Sequence, residues 1–352
     1  MLKNYTARKT HRPVIEIIMG LYMALALPFL SETAYAKEKP ELTIYTYESF
    51  ASEWGPGPAI KTAFEKKCEC VVNFVGLDSS IGILGRLQIE GRTSKADIAL
   101  GLDTNLIQVA RETNLFADHN VATSGRLGLP EETERSWSDS KFLPFDWGYF
   151  AFVYDTTKLA EPPRSMQALL DAPDSLRVVI QDPRTATPGL GLMLWINAIY
   201  GDKAPEAWEK LAPKIVTVTK GWWDAYSMFL EGEADMVLSY STSPAYHRIV
   251  EEKTQYQAAG FTEGHYMQIE IAGMLEAAPN PELARRFMDF ILDPQFQSII
   301  PTTNWMYPAG KVELPAGFEG LIKPSTSLLF TPAEVAENRK KWTEDWRLGL
   351  SR

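Results

Sequence analysis

Apolar positions along this chain come in two rhythms: short dense runs, and longer stretches where they recur every three or four residues. The first reads as buried strand and the second as amphipathic helix. Residues 42–47 form the first run, rich in β-branched and aromatic side chains. After Gly55 to Pro58 a helix begins, with Pro58 in its first turn and Ile60, Ala63 and Phe64 on one face. Residues 71–77 are a second strand, closed by Asp78-Ser79-Ser80, and 81–90 are helical. Residues 96–102 are a third strand, with Asp103-Thr104-Asn105 capping the helix that follows.

Residues 144–155, Pro-Phe-Asp-Trp-Gly-Tyr-Phe-Ala-Phe-Val-Tyr-Asp, are apolar on both faces and read as a fully buried strand. Asp146 and Gly148 interrupt the run. A carboxylate beside a glycine in such a strand marks either a plain bulge or a place where the backbone changes partner or a ligand approaches. Strand and helix alternate again beyond it: strands at 176–181, 216–219, 235–240 and 266–274, and helices at 190–199, after Lys220-Gly221-Trp222-Trp223 to near Gly232, and at 281–292. Thr187-Pro188 and Ser243-Pro244 each place a hydroxyl and then a proline at a helix start. Asn304 to Pro308 is an aromatic loop, and Thr331-Pro-Ala-Glu334 is a capping box opening a last helix with Trp342 and Trp346. This alternation predicts an α/β fold with a mixed, largely parallel sheet flanked by helices, and ligands beyond the carboxyl ends of its strands. Without a linker between the two blocks, the strand at 144–155 is expected to cross between two lobes. The division expected is 37–146 with about 272–308 for one lobe, and 147–271 with about 309–352 for the other.

Residues 1–36 stand apart. Lys3, Arg8, Lys9 and Arg12 precede an apolar core, and Ala34-Tyr35-Ala36 supplies small residues for cleavage, so this is expected to be an export signal removed to leave Lys37 first. The whole chain carries a net charge of −10, and losing a basic head makes the remainder more acidic. Nucleic acid and anionic membranes are poor partners for such a surface. Cys68 and Cys70 are the only cysteines. An oxidising compartment favours a disulfide between them over free thiols, although a bridge across one residue closes a very small ring. His119, His247 and His265 are scattered, and no metal site is expected.

Three loops at strand ends share one chemistry: Asp78-Ser79-Ser80, Thr185-Ala186-Thr187 and Ser241-Thr242-Ser243. Hydroxyls and free N–H groups at a helix start can hold an anionic oxygen, although simple capping accounts for any one loop. Aromatic residues gather near the same ends: Tyr45, Tyr47, Trp222, Tyr240, Tyr246 and Trp305. Their faces suit a flat heterocycle, above all a cationic one. No nucleophile elbow, zinc-protease helix or phosphate-binding P-loop is present. Tyr240, Tyr246 and His247 have the chemistry to ligate ferric iron.

Taken in order, the motifs resemble those of the periplasmic thiamine-binding proteins of bacterial thiamine importers, over essentially the whole chain after the signal. Those that carry the resemblance are Leu42-Thr-Ile-Tyr-Thr-Tyr47, Trp54-Gly-Pro-Gly-Pro58, Ser94-Lys-Ala-Asp97, Pro144 to Asp155, and Gln181-Asp-Pro-Arg-Thr185 with Thr187-Pro-Gly-Leu-Gly191. Thr217 to Trp222, Ser239 to His247 and Asn304 to Pro308 follow in register, and the Cys-x-Cys pair is similar too. The resemblance implies a two-lobed solute-binding fold of type II that closes on thiamine, its monophosphate or its diphosphate. It also implies a monomer without catalysis or cofactor, delivering its ligand to a membrane permease with a cytoplasmic ATPase. By motif, the ligand would meet Ser79, Ser80, Ala186, Thr187, Trp222, Tyr240, Ser241, Thr242, Ser243, Tyr246 and Trp305, with Tyr47 and Asp146 as neighbours. Ser79-Ser80 stands where the family commonly has Asp-Gly, and Ala186 where it has serine. A thiamine-cleaving enzyme of related fold, which would need a free thiol, and a ferric carrier are the alternatives.

Overall fold

The computed structural model describes residues 39–351, so the expected export signal and its cleavage point lie outside the described residues. The strands are β1 (Glu41–Tyr47), β2 (Val71–Leu77), β3 (Ile98–Asp103), β4 (Phe142–Asp155), β5 (Val178–Gln181), β6 (Ile215–Thr219), β7 (Met236–Tyr240), β8 (Tyr256–Ala258), β9 (His265–Met274), β10 (Tyr307–Pro308) and β11 (Ser327–Leu328). They lie in the order β2-β1-β3-β9-β4-β7-β5-β6, with β8 and β10 added to β4 and β11 to β9.

Two parallel blocks are visible in that order. In one, β1 pairs parallel with β2 and β3; in the other, β5 pairs parallel with β6 and β7. Between them run β9 and β4, antiparallel to each other and to their outer neighbours. The first part of β4, Phe142 to Tyr149, pairs with β9, and the next, Phe150 to Tyr154, pairs with β7. The strand therefore changes partner at Tyr149 and carries the chain from one block to the other, as its place between the two blocks predicts. Only Trp147 and Tyr154 in it are not fully buried, and β9 is buried throughout. Gly148 leaves room here for the end of the Met306 side chain, since a Cβ would come within 2.9 Å of Met306 Cε and push it aside.

The core is continuous across both blocks and includes Trp195, Trp208, Phe142, Phe145, Phe150 and Phe152. The last helix, Pro332–Leu350, starts on the expected capping box. The Thr331 hydroxyl accepts from Glu334 N, and Thr331 N donates to the Glu334 carboxylate at 2.7 Å. This helix packs on Ala204–Leu211 of one block and Ile107–Glu112 of the other, tying the two together. Cys68 and Cys70 are joined by a disulfide. It sits where the chain enters β2, the opposite end of that strand from Ser79.

Two helix starts differ from expectation. Ala186, not Thr187, is the N-cap of Thr187–Tyr200, because Pro188 occupies the second helical position rather than the first. Ser243 is the N-cap of Pro244–Val250, but its own φ and ψ are already helical (−52°, −35°), and its hydroxyl makes no cap. A cap side chain needs extended backbone to swing back over the first turn. Both hydroxyls are thereby free for other partners.

Candidate functional site

Four acceptor-rich side chains come together where the two blocks meet. In β9, Glu270 lies directly opposite Asp103 of β3 on one side and Asp146 of β4 on the other. Both alignments depend on register slips, one between Leu100 and Leu102 and one between Pro144 and Asp146. A strand alternates its faces, so without its bulge each aspartate would fall out of the row by one residue. Gly101 makes the first bulge possible: its φ is +101°, and a Cβ there would lie 2.4 Å from the Tyr47 ring. The result is a row of three carboxyls across adjacent strands, 0, 6 and 0% exposed for Asp103, Glu270 and Asp146. Gln268 is the fourth, two residues before Glu270 and on the same face.

The donors that reach this row are neutral. Tyr47 OH donates to Glu270 Oε2 (2.7 Å), and Gln268 Nε2 donates to Glu270 Oε1 (3.0 Å). Asn304 Nδ2 reaches Asp146 Oδ2 (2.6 Å) and Tyr47 OH (2.8 Å), while Asn105 N donates to Asp103 Oδ1 (2.8 Å). Among the described residues, no N–H or O–H group of another residue type donates to Asp103 Oδ2, Asp146 Oδ1 or Gln268 Oε1, and Asp146 and Glu270 meet carboxyl to carboxyl. A buried acceptor left in this way costs about 1–3 kcal/mol. Burial raises Asp146 to about 7 and Asp103 to about 6, and it lifts Glu270 well above the carboxylate range with Asp146's charge adding to it. The phenols of Tyr47 and Tyr240 are raised by burial and then by the charges of Glu270 and Asp146. The row thus lies between two tyrosines, one from each block.

The hydroxyl loops form a second cluster. Ser79 is the N-cap of Ser80–Glu90 and accepts from Gly82 N. Ser80 Oγ donates to Gly101 O and lies 3.1 Å from Thr187 Oγ1, so the helix start after β2 touches the helix start after β5. Nearby, Lys220 Nζ pairs with Asp78 Oδ2 at 2.6 Å across the same junction. Ala186 is buried and offers only its backbone. Ser241 and Thr242 are fully buried; Ser241 Oγ has no partner, and Thr242 Oγ1 points to Met306 Sδ.

The aromatics divide into two groups. Trp222 donates through Nε1 to Ser239 Oγ (2.8 Å), which also meets Ser243 Oγ, and its ring stacks on Tyr226 at 5.0 Å. Behind Tyr226, its hydroxyl lies 2.9 Å from His247 Nε2, and His247 Nδ1 lies 2.8 Å from Glu251 Oε2. A carboxylate only accepts, so Nδ1 carries the proton and Nε2 accepts from Tyr226. Both nitrogens are engaged, which removes His247 from any ferric-iron site. Tyr246 meets Trp305 edge-on at 5.2 Å, and Trp305 holds a φ of +58°, unusual for so large a residue. Trp222 makes its contacts with Ser239, Tyr226 and Trp223, not with the acid row.

Of the residues singled out in the sequence, Tyr47, Asp146 and Tyr240 share one cluster, and Ser80 and Thr187 share the next. Ser79, Ala186, Trp222, Ser241, Thr242, Ser243, Tyr246 and Trp305 line the loops around them. Sequence reasoning missed Glu270, Gln268 and Asn304, and took Asp103 only as a cap. The signal was present for two of them: Glu270 and Gln268 are polar residues on one face of an otherwise buried strand, as Asp146 is. A groove of about 450 Å³ lined by Gly128, Trp147, Tyr307, Lys311 and Leu314 shares no residue with these clusters.

Residues 51–298 match the family described as bacterial extracellular solute-binding protein. The chain belongs to this family. Among its relatives, the thiamine-binding periplasmic protein of Escherichia coli (strain K12) is 54% identical over 91% of this chain and 96% of its own length. That of Haemophilus influenzae is 42% identical over 93% and 98%. A solved periplasmic thiamin binding protein superposes with a TM-score of 0.86 at 54% identity, covering 89% of this chain and 97% of that one. The ferric binding protein from Campylobacter jejuni reaches a TM-score of 0.72 at 20% identity, which shows the shared two-lobed type II fold alone.

Proposed function

We propose that this chain is the periplasmic, monomeric binding component of a thiamine importer. It holds thiamine, thiamine monophosphate or thiamine diphosphate between its two lobes. It delivers that ligand to a membrane permease driven by a cytoplasmic ATPase, and it has no resident cofactor and catalyses no reaction. The observation that carries this reading is the row of Asp103, Glu270 and Asp146 between Tyr47 and Tyr240, in a chain 54% identical to a protein named for binding thiamine. Thiamine joins a flat, permanently cationic thiazolium to an aminopyrimidine bearing N–H donors. An acceptor-rich, aromatic-walled site in which Asp146 and Glu270 face no cation among the described residues is complementary to both.

The phosphate esters suit the second cluster, where Ser80 and Thr187 stand at two helix starts whose dipoles favour an anion. The engagement of Cys68 and Cys70 with each other speaks against the thiol chemistry of a thiamine-cleaving enzyme. Export is supported by the signal-like leader and by relatives named as periplasmic. Among the described residues no helix is long and apolar enough to cross a membrane. Native mass spectrometry of protein from its host should show a retained thiamine-sized ligand. Calorimetry should then give saturable one-to-one binding of thiamine and both esters. Failure of all three to bind would overturn the reading.

A further inference from the structure

Facing residues of neighbouring strands stand about 5 Å apart at Cβ, and like charges placed so are destabilising. Here three acids share one row inside the protein. The groups facing them come from every neighbouring element: Tyr47 from β1, Tyr240 from β7, Gln268 and Tyr266 from β9, Asn304 from the loop before β10, and Arg339 from the last helix, which acts on Asp103. Asn304 and Gln268 do not titrate, burial moves the phenols upward, and Arg339 stays charged. The acids themselves are the groups able to relieve the repulsion, and they do so by keeping a proton. Three acceptor atoms in the row still lack a donor.

We propose that a ligand's cationic ring displaces a proton held by the Asp146–Glu270 pair, so that ligand capture is coupled to proton release. The inference rests on the cationic ligand proposed above. A carboxyl O–H bond breaks, its proton passes to the buffer, and the ligand's fixed charge takes its place beside the new carboxylate; the ligand itself is unchanged. Competition between the two cations makes binding tighten as pH rises, by up to about tenfold per pH unit for one proton, and level off once the row is ionised in the empty protein.

Calorimetry of thiamine binding near neutral pH, in two buffers of different ionisation enthalpy, reads the coupling directly. The expected result is an enthalpy that differs between the buffers by the amount due to release of about half to one proton per thiamine. Deazathiamine, in which a neutral thiophene replaces the thiazolium, should bind more weakly and release none. Asp146→Asn and Glu270→Gln should each reduce the release seen with thiamine. Thiamine binding with the same enthalpy in both buffers overturns the coupling and leaves the thiamine reading standing. Equal proton release with deazathiamine also overturns it, because the proton would then come from elsewhere. Absence of binding by thiamine and by both its esters overturns both.

Discussion

Around Ser80 and Thr187, hydroxyls meet each other and a backbone carbonyl; around Glu270, carboxyls meet carboxyls and neutral amide and phenol donors. The acid row is buried and the hydroxyl pair partly so, and both join the block before β4 to the block after it. Ser80 and Thr187 can satisfy each other, because a hydroxyl both gives and accepts. The acid row can do so only by holding protons, because an ionised carboxylate only accepts, and three acceptor atoms of the cluster meet no donor among the described residues. A cluster that completes itself can stand empty at little cost, whereas an unbalanced one is stable only when something supplies donors or charge. Under the function proposed above, this difference suits the acids to the cationic end of the ligand and the hydroxyls to its anionic end.

The largest expected effect comes from removing charge from the row while keeping its shape. Glu270→Gln should weaken thiamine by roughly 2–5 kcal/mol, the usual effect of losing one partner of a buried charge pair. The same variant should melt no lower than the parent when empty, because it removes an acid that crowds Asp146 and Asp103 while keeping an acceptor for Tyr47. A fall in both affinity and melting temperature would mean that Glu270 is structural. The pH dependence of the empty protein follows the same logic. Asp146 is raised to about 7 from 3.8, so the folded chain holds a proton that the unfolded chain gives up. That contribution to stability is whole below about pH 4 and is lost as pH climbs through 7. Thermal melts should therefore show the empty protein losing several degrees between about pH 5 and 8 on this account, with a shallower slope in Asp146→Asn.

Much of this was legible in the chain, and what was hidden has a physical cause. The two-sided apolar run at 144–155 identified a fully buried strand because such a strand has no polar alternation to offer, and its place between two blocks of alternating strands and helices marked it as the one that crosses. Asp146 was legible for the same reason, as a carboxylate where none belongs. The row itself was not, because it depends on two bulges whose positions only strand pairing reveals. Gly101 looks like any strand glycine until the Tyr47 ring is seen above it. Thr187 and Ser243 were read as caps from the hydroxyl-then-proline pattern, which fixes where a helix starts but not which way the hydroxyl turns.

Trp222→Ala sharpens the comparison from the aromatic side. It removes one flat face and should cost on the order of 1–3 kcal/mol, by analogy with stacking on nucleobases. The loss should be equal for thiamine and its monophosphate, and the pH dependence should persist, because Trp222 does not touch the acid row. Thr187→Val tests the other cluster. It should weaken the monophosphate by about 1.5–3 kcal/mol, the range for a hydrogen bond to a charged group, and thiamine by much less. Equal losses for the two ligands in calorimetry would move the phosphate elsewhere.

The smallest effect on binding should come from the pair that lies farthest along β2 from the site. Cys68 ends the helix Gly57–Cys68, and Cys70 precedes β2, whose other end leads into Ser79 and Ser80. Joining residues two apart closes so short a loop that the entropy withdrawn from the unfolded chain is modest, about 1–2 kcal/mol in the loop-closure picture. Changing both cysteines to serine should therefore lower stability to denaturant by about that amount, while thiamine affinity and its dependence on pH stay as they were. Both sulfurs are buried with the core of the first block, so part of the loss will be packing rather than connectivity. Changing both to alanine separates the two, since alanine removes the bridge without burying a hydroxyl. If either double variant stayed folded and lost thiamine, the helix Gly57–Cys68 would be coupled to the acid row through β1 and Tyr47, and the site would reach much farther into this block than its contacts indicate.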